Sequence, residues 1–323
     1  MSIDDTTSSL TDAIPYSKPK FRAEPSRRSD AFDKLQSCVN GRCNVIDQIW
    51  VLSRLLTRDI VELPLEFQAT GQTIPFWTGF NCLLSERRPD VTVVAYPPII
   101  DAKPNDMARV YTAMKKCLDM TNEAGQEHAI QTFDQQLYAI AQQVKWSKPD
   151  IFNRHILRLG GFHSLSCFLS SIGKLWADGG LRDLLVDSGV YAGNTAELML
   201  VGKEFNRAVR GFTLVFEALQ VLFIAAFIHW CRTFDHIDQI PSAFWNALFE
   251  FHRSICDQTT ETSVLLTKVE ELFEDHVHPL IHKFRKWGCD ASPTFKYWDM
   301  FLVAFKLCCQ MYEQNGRVIG RHI

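Results

Sequence analysis

The spacing of apolar residues divides the chain into stretches of different period. From Phe32 to Ile60, the apolar positions Phe32, Leu35, Val39, Ile46, Ile49, Leu52, Leu55 and Leu56 predict one or two short helices broken near NGRC. From Leu63 to Ile100, Pro64, Pro75, Pro89, Pro97 and Pro98 punctuate the pattern, and the β-branched run VTVVAY predicts a strand entering a Pro-Pro turn. After DAKPND the period becomes helical. Met107, Val110, Met114, Cys117 and Leu118 share a face, Asp106 is placed to cap the start, and Gly125 is placed for a left-handed stop.

The next stretch changes period twice more. HAIQTF reads as a short strand, QQLYAIAQQVKW as an amphipathic helix ending before Lys148-Pro149, and RHILRLGG as a second strand. HSLSCFLSSIGKLWADGG then reads as helix. Strand, helix, strand, helix at this spacing predicts parallel pairing, and hence an α/β unit up to residue 178. After Gly180 every segment reads as helix: LRDLLVDSG, Lys203 to Asp235, Pro241 to about Cys256, about Thr260 to Trp287, and Pro293 to Gln314. The expected class is therefore α/β but mostly helical. Its segments are a polar, basic tail over 1–30, a helical and Pro-rich segment over 31–90, an α/β core over 91–178 and a helical domain over 179–323.

Composition adds a soluble, reduced environment. A net charge of −3 gives no global field for nucleic acid or an acidic membrane, so any such site is local. With 23 Phe and 8 Trp, the chain has enough apolar bulk to fold over most of its length. The ten cysteines are scattered, which predicts free thiols rather than a disulfide scaffold. The first twenty residues have acids near the start and no apolar core of a secretory signal, which predicts a nuclear or cytoplasmic protein. VLFIAAFIHWC is about half a membrane span in length and predicts a buried helix, with no membrane partner.

Several residues could carry chemistry, each beside a plainer role. Asp134 ends the first strand of the α/β unit, where a metal-binding carboxylate would project past the sheet; it also directly precedes a helix that it can cap. His163 begins the helix after the second strand, beside Gly160 and Gly161, and could bind metal, position a phosphate or act as acid or base, or simply donate to a backbone carbonyl. No Walker or complete dinucleotide-binding motif accompanies those glycines. Cys38 and Cys43 lack the second pair of a zinc site. In HVHPLIH, His278 and His282 share a helical face near His276 and Asp275, but Pro279 stands where a metalloprotease needs Glu. Lys203, Arg207 and Arg210 fall near one face of a predicted helix and could contact a DNA phosphate backbone, or simply be solvated. Phe223, Phe227 and Trp230 are either core or a face for a protein partner or a second copy.

Three long segments carry a family resemblance: VVAYPPIIDAKPNDMARVYTAMKKCLDM, QTFDQQLYAIAQQVKW, and the run from ILRLGGFHSLSCFLSS to FNRAVRGFTLVFEAL. Together with their surroundings, about residues 70 to 305, they resemble a family of uncharacterised proteins multiplied in genomes rich in mobile elements and taken to be transposon-derived. The family's core is similar to RNase H-like transposases. The resemblance implies an RNase H-like α/β core over 91–178, with Asp134 as the strand-end metal ligand and His163 as the histidine that follows. The implied ancestral chemistry is Mg²⁺-dependent phosphodiester cleavage on DNA. Gly160, Gly161 and Phe162 stand where a second acid is wanted, and relatives run on past FKYWDMFLVA, so the expectation is a truncated, catalytically incomplete relative. The alternative is a non-catalytic helical interaction module.

Overall fold

The structure, a computed structural model, describes residues 41–56, 74–84, 96, 99–101, 103 and 106–316. The expected tail over 1–30, the VTVVAY strand apart from Tyr96, and the Cys38/Cys43 pair fall outside the residues whose side chains are described. The described residues divide into two compact units. One comprises the described residues from 96 to 168, and the other comprises 41–84 and 169–313. The N-terminal helices therefore share a unit with the C-terminal ones.

The first unit is built around a small parallel sheet. Helix α3 (Met107–Glu123) starts where Asp106 accepts the Ala108 N–H (3.0 Å), and the chain turns at Gly125 with φ of 66°. Both features were legible in the sequence, since a β-carbon would strain the backbone at that φ. Strand β1 (Ala129–Phe133), helix α4 (Gln135–Ser147), the short helix α5 (Pro149–Phe152) and strand β2 (His155–Leu159) follow, then helix α6 (Gly161–Trp176). The strands pair in parallel, Ala129 opposite His155 and Phe133 opposite Leu159.

Side chains alternate across that sheet. The face carrying Ala129, Phe133, His155 and Leu157 packs on Val110 and Met114 of α3 and on Ala141 and Val144 of α4, with Phe152 closing the cluster. The other face leaves Ile130 60% and Ile156 45% exposed. This is unusual for a parallel pair, which is normally covered on both sides. Among the described residues the sheet ends at two strands. The class is thus mostly helical with a small two-stranded parallel sheet.

In the second unit, α1 (Arg42–Leu55) and α2 (Trp77–Leu84) precede the α6 C-terminal half, α7 (Arg182–Asp187), α8 (Gly193–Leu200), α9 (Phe205–Thr233), α10 (Ser242–Cys256), α11 (Thr262–Leu272), α12 (His278–Ala291) and α13 (Pro293–Gly316). Helix α2 was hidden in the sequence by its proline-rich surroundings; it is held by packing of Phe80 on Trp50 and Phe251. The expected single helix from about Thr260 to Trp287 is divided by a π-helical turn, Phe273–Val277, just before Pro279. Proline lacks the N–H for the preceding ladder and suits the first turn of a new helix. Phe223, Phe227 and Trp230 lie in the core, packed on Phe284, so they are not a docking face.

Two buried histidines couple this packing to pH. His155 Nε2 lies 3.0 Å from the Met114 carbonyl and its ring meets Phe152 edge-on; His252 Nε2 lies 3.6 Å from Cys256 Sγ. Burial lowers both pKa values from the ordinary 6.5. The unfolded chain therefore takes up these protons first as the pH falls. Stability is complete above about 6.5 and is lost as the pH drops through that value toward the lower folded ones. We expect urea unfolding free energies to fall between about pH 7.5 and 5, and His155→Gln and His252→Gln each to flatten that dependence. An unchanged slope in both variants would assign the acid sensitivity elsewhere.

Candidate functional site

The carboxyl edge of the two-stranded sheet gathers the residues singled out in the α/β unit. Because β1 and β2 run parallel, both chains leave at this edge into helices: Asp134 between β1 and α4, Gly160 between β2 and α6. The backbone joins the two exits, the Gly160 N–H donating to the Phe133 carbonyl at 2.7 Å. Crevices beyond the carboxyl ends of parallel strands are the usual location of ligand sites in α/β sheets.

Asp134 is exposed and occupied as a cap. Its backbone is extended (φ −65°, ψ 172°), and Oδ1 accepts the Leu137 N–H at 2.7 Å while its carbonyl accepts from Tyr138. A carboxylate there satisfies an otherwise open helix N–H and faces the positive end of the helix dipole. His163 is half-buried in the first turn of α6, its ring edge-on to Phe162 at 5.3 Å. A β-carbon at Gly160 would sit 3.2 Å from the Phe133 carbonyl oxygen and 3.9 Å from His163 Cδ2. The position where the family resemblance wants a second acid is therefore tight against backbone.

A pair of divalent cations needs three or four hard oxygen ligands from different elements. Among the described residues, no group of three or more His, Cys, Asp or Glu side chains comes together that could hold a metal ion. The residues at this edge do not fit a Mg²⁺ pair.

The other candidates lie in the second unit. Helix α9 begins at Phe205, two residues later than expected, so Lys203 stands in the turn before it, its N–H on the Leu198 carbonyl. Arg207 and Arg210 are on the helix and exposed, Arg207 beside Glu204 at 3.6 Å. His278 Nδ1 lies 2.8 Å from Glu274, and its ring is 4.6 Å from that of His282. Burial, aided by the neighbouring His278, lowers the His282 pKa. An open cavity of about 390 Å³ beside this turn is lined by Val45, Glu270, Glu271, Glu274 and Asp275.

The family model of a domain of unknown function, DUF8702, matches residues 76–317. The chain belongs to the DUF8702 family. Comparison with curated proteins and with solved structures finds no match. The matched span of this DUF8702 chain takes in both the sheet edge and the helices that follow.

Sequence reasoning missed the buried and half-buried ion pairs of the helical unit. Lys306 pairs with Asp47, Arg285 with Asp299 (2.8 Å) and Arg54 with Glu217 (3.3 Å). Burial pushes the Asp299 carboxyl up, and the adjacent Arg285 opposes that shift. Arg54 also lies over the Trp50 and Phe76 rings, and Arg285 over Phe223. The signal was present: Lys306 in VAFKLCC, Asp47 in VIDQIW and Asp299 in YWDMF are each the one charge in a largely apolar run. A charge with no opposite charge beside it in such a run must find its partner elsewhere in the fold once it is buried.

Proposed function

We propose that this DUF8702 chain is a mobile-element-derived relative of RNase H-like transposases whose catalytic set is incomplete. The observation that carries the reading is Asp134, an acid at the carboxyl end of a parallel strand, with Gly160 and Gly161 at the neighbouring strand end in place of a partner. The ancestral chemistry is Mg²⁺-dependent phosphodiester cleavage on DNA, in a nuclear or cytoplasmic protein. Asp134 is the surviving carboxylate and His163 a secondary polar group. Lys203, Arg207 and Arg210 supply a local basic surface suited to DNA phosphates. One carboxylate cannot offset the desolvation of two divalent ions, so Asp134 serves chiefly as a helix cap.

A plasmid-nicking assay in Mg²⁺ on the full chain and on Asp134→Ala tests this. Neither is expected to cleave above background, while Asp134→Ala loses about 1 kcal/mol of unfolding free energy through the lost cap. Mg²⁺-dependent cleavage by the natural sequence, abolished in Asp134→Ala, would overturn the incomplete-site reading. A non-catalytic interaction module is the second reading, favoured by the outward face of α9.

A further inference from the structure

Helix α9 has an apolar face on each side. Its inner side carries the aromatic core, while on its outer side Leu214 is 49% and Leu222 61% exposed, and Ala218 and Ala226 are exposed between and beyond them. The four residues recur at intervals of four, a single ridge about 18 Å long at 1.5 Å per residue. The ends of the ridge differ in charge. Exposed Lys203, Arg207 and Arg210, with Glu204 beside Arg207, stand at its N-terminal end; exposed Asp235 and Asp238 follow its C-terminal end, after half-buried Arg232.

We propose that this ridge is a self-association face, on which the α9 of a second copy of the chain packs antiparallel. The alternation of large and small residues is what selects the second copy. About a twofold axis midway between positions 218 and 222, Leu222 meets Ala218 of the partner subunit and Leu214 meets Ala226 of the partner subunit. Each large side chain thus enters the space left by a small one. The same axis brings the basic end of one helix to the acidic end of the other, where the helix dipole also favours cations. Parallel pairing would instead oppose like charges and like sizes.

By length and composition α9 is apolar enough to cross a membrane, with half of its most apolar window buried inside the chain. A lipid surface requires neither the alternation of sizes nor the complementary ends. The self-association is independent of the ancestry proposed above, since it requires neither DNA nor metal.

Sedimentation velocity of the full chain over a concentration series is the test. The expected result is a reversible monomer–dimer equilibrium, with Leu222→Asp raising the dimer Kd roughly 100-fold because each dimer carries the change twice. Leu222 is mostly exposed in the single chain, so the thermal melt followed by circular dichroism should stay in place; if it moves, Leu222→Gln replaces it as the readout. Arg207→Glu with Arg210→Glu should also weaken the dimer, and adding Asp235→Lys with Asp238→Lys should restore it. A chain that sediments as a monomer throughout, or a dimer indifferent to Leu222→Asp, overturns the proposal. Failure of the charge exchange to restore the dimer overturns the antiparallel arrangement. Sedimentation with phosphatidylcholine vesicles, lost in Leu222→Asp while the free chain stays monomeric, assigns the ridge to lipid instead.

Discussion

Lys306→Met should lower the unfolding free energy of the chain by about 3–5 kcal/mol, read from the urea midpoint by circular dichroism. Lys306 is 2% exposed on α13, and its ammonium pairs with the Asp47 carboxylate on α1. Both charges have left water, and their attraction is what offsets that cost. Removing the ammonium leaves Asp47 as a buried charge without its cation, a larger penalty than the net worth of the intact pair. The diagnostic variant is therefore the double one. Asp47→Leu combined with Lys306→Met removes both charges and should recover most of the loss, since an apolar pair of similar volume is often as stable as a buried ion pair. A loss below about 1 kcal/mol for Lys306→Met would mean that the pair is solvated like an ordinary surface bridge.

Gly173→Ala is the second substitution with a large expected effect, and it runs against local propensity. Alanine in a helix interior is favoured over glycine by about 1 kcal/mol. At position 173 in α6, however, a β-carbon would stand 2.1 Å from the Leu200 carbonyl oxygen and 2.7 Å from the Leu200 carbonyl carbon and Cα, at the end of α8. Those atoms are backbone, with no rotamer to move them aside, so the two helices must separate and give up packing around Leu169 and Ile172. The net loss should be about 3 kcal/mol, at the upper end of the range for overpacked cores. An unfolding free energy equal to or above that of the natural sequence would show that α6 and α8 are free to part.

How far the sequence carries can be judged from particular elements. The cap at Asp106, the left-handed turn at Gly125 and the two parallel strands were readable because each is governed by neighbours a few residues away. Helix α2 was not readable, because what stabilises Trp77–Leu84 is ring packing from Trp50 and Phe251, distant in sequence. The π-helical turn at Phe273–Val277 was missed for a related reason: Pro279 marked a boundary, but the apolar period continues across it. For the candidate site, sequence placed Asp134 at the strand end and at the helix start together, and only the bond to the Leu137 N–H shows how the carboxylate is engaged. The Asp47–Lys306 pair lay beyond reach, since no periodicity rule connects positions 259 residues apart.

That same separation bears on how the protein is made. The α/β unit is contiguous from Asp106 to Phe168, its strands joined by a crossover of only α4 and α5, so its core can close as soon as Leu159 has left the ribosome. Among the described residues the helical unit has its first helix near residue 50 and the partner of that helix's buried charge at 306. During synthesis, α1 must wait with Asp47 still hydrated and its apolar face unclosed while some 250 further residues are added, roughly ten to fifty seconds at ordinary elongation rates. Over that interval the nascent helical unit offers its apolar surface to chaperones or to other chains, and α1 becomes the element that most needs cover until the last helix arrives.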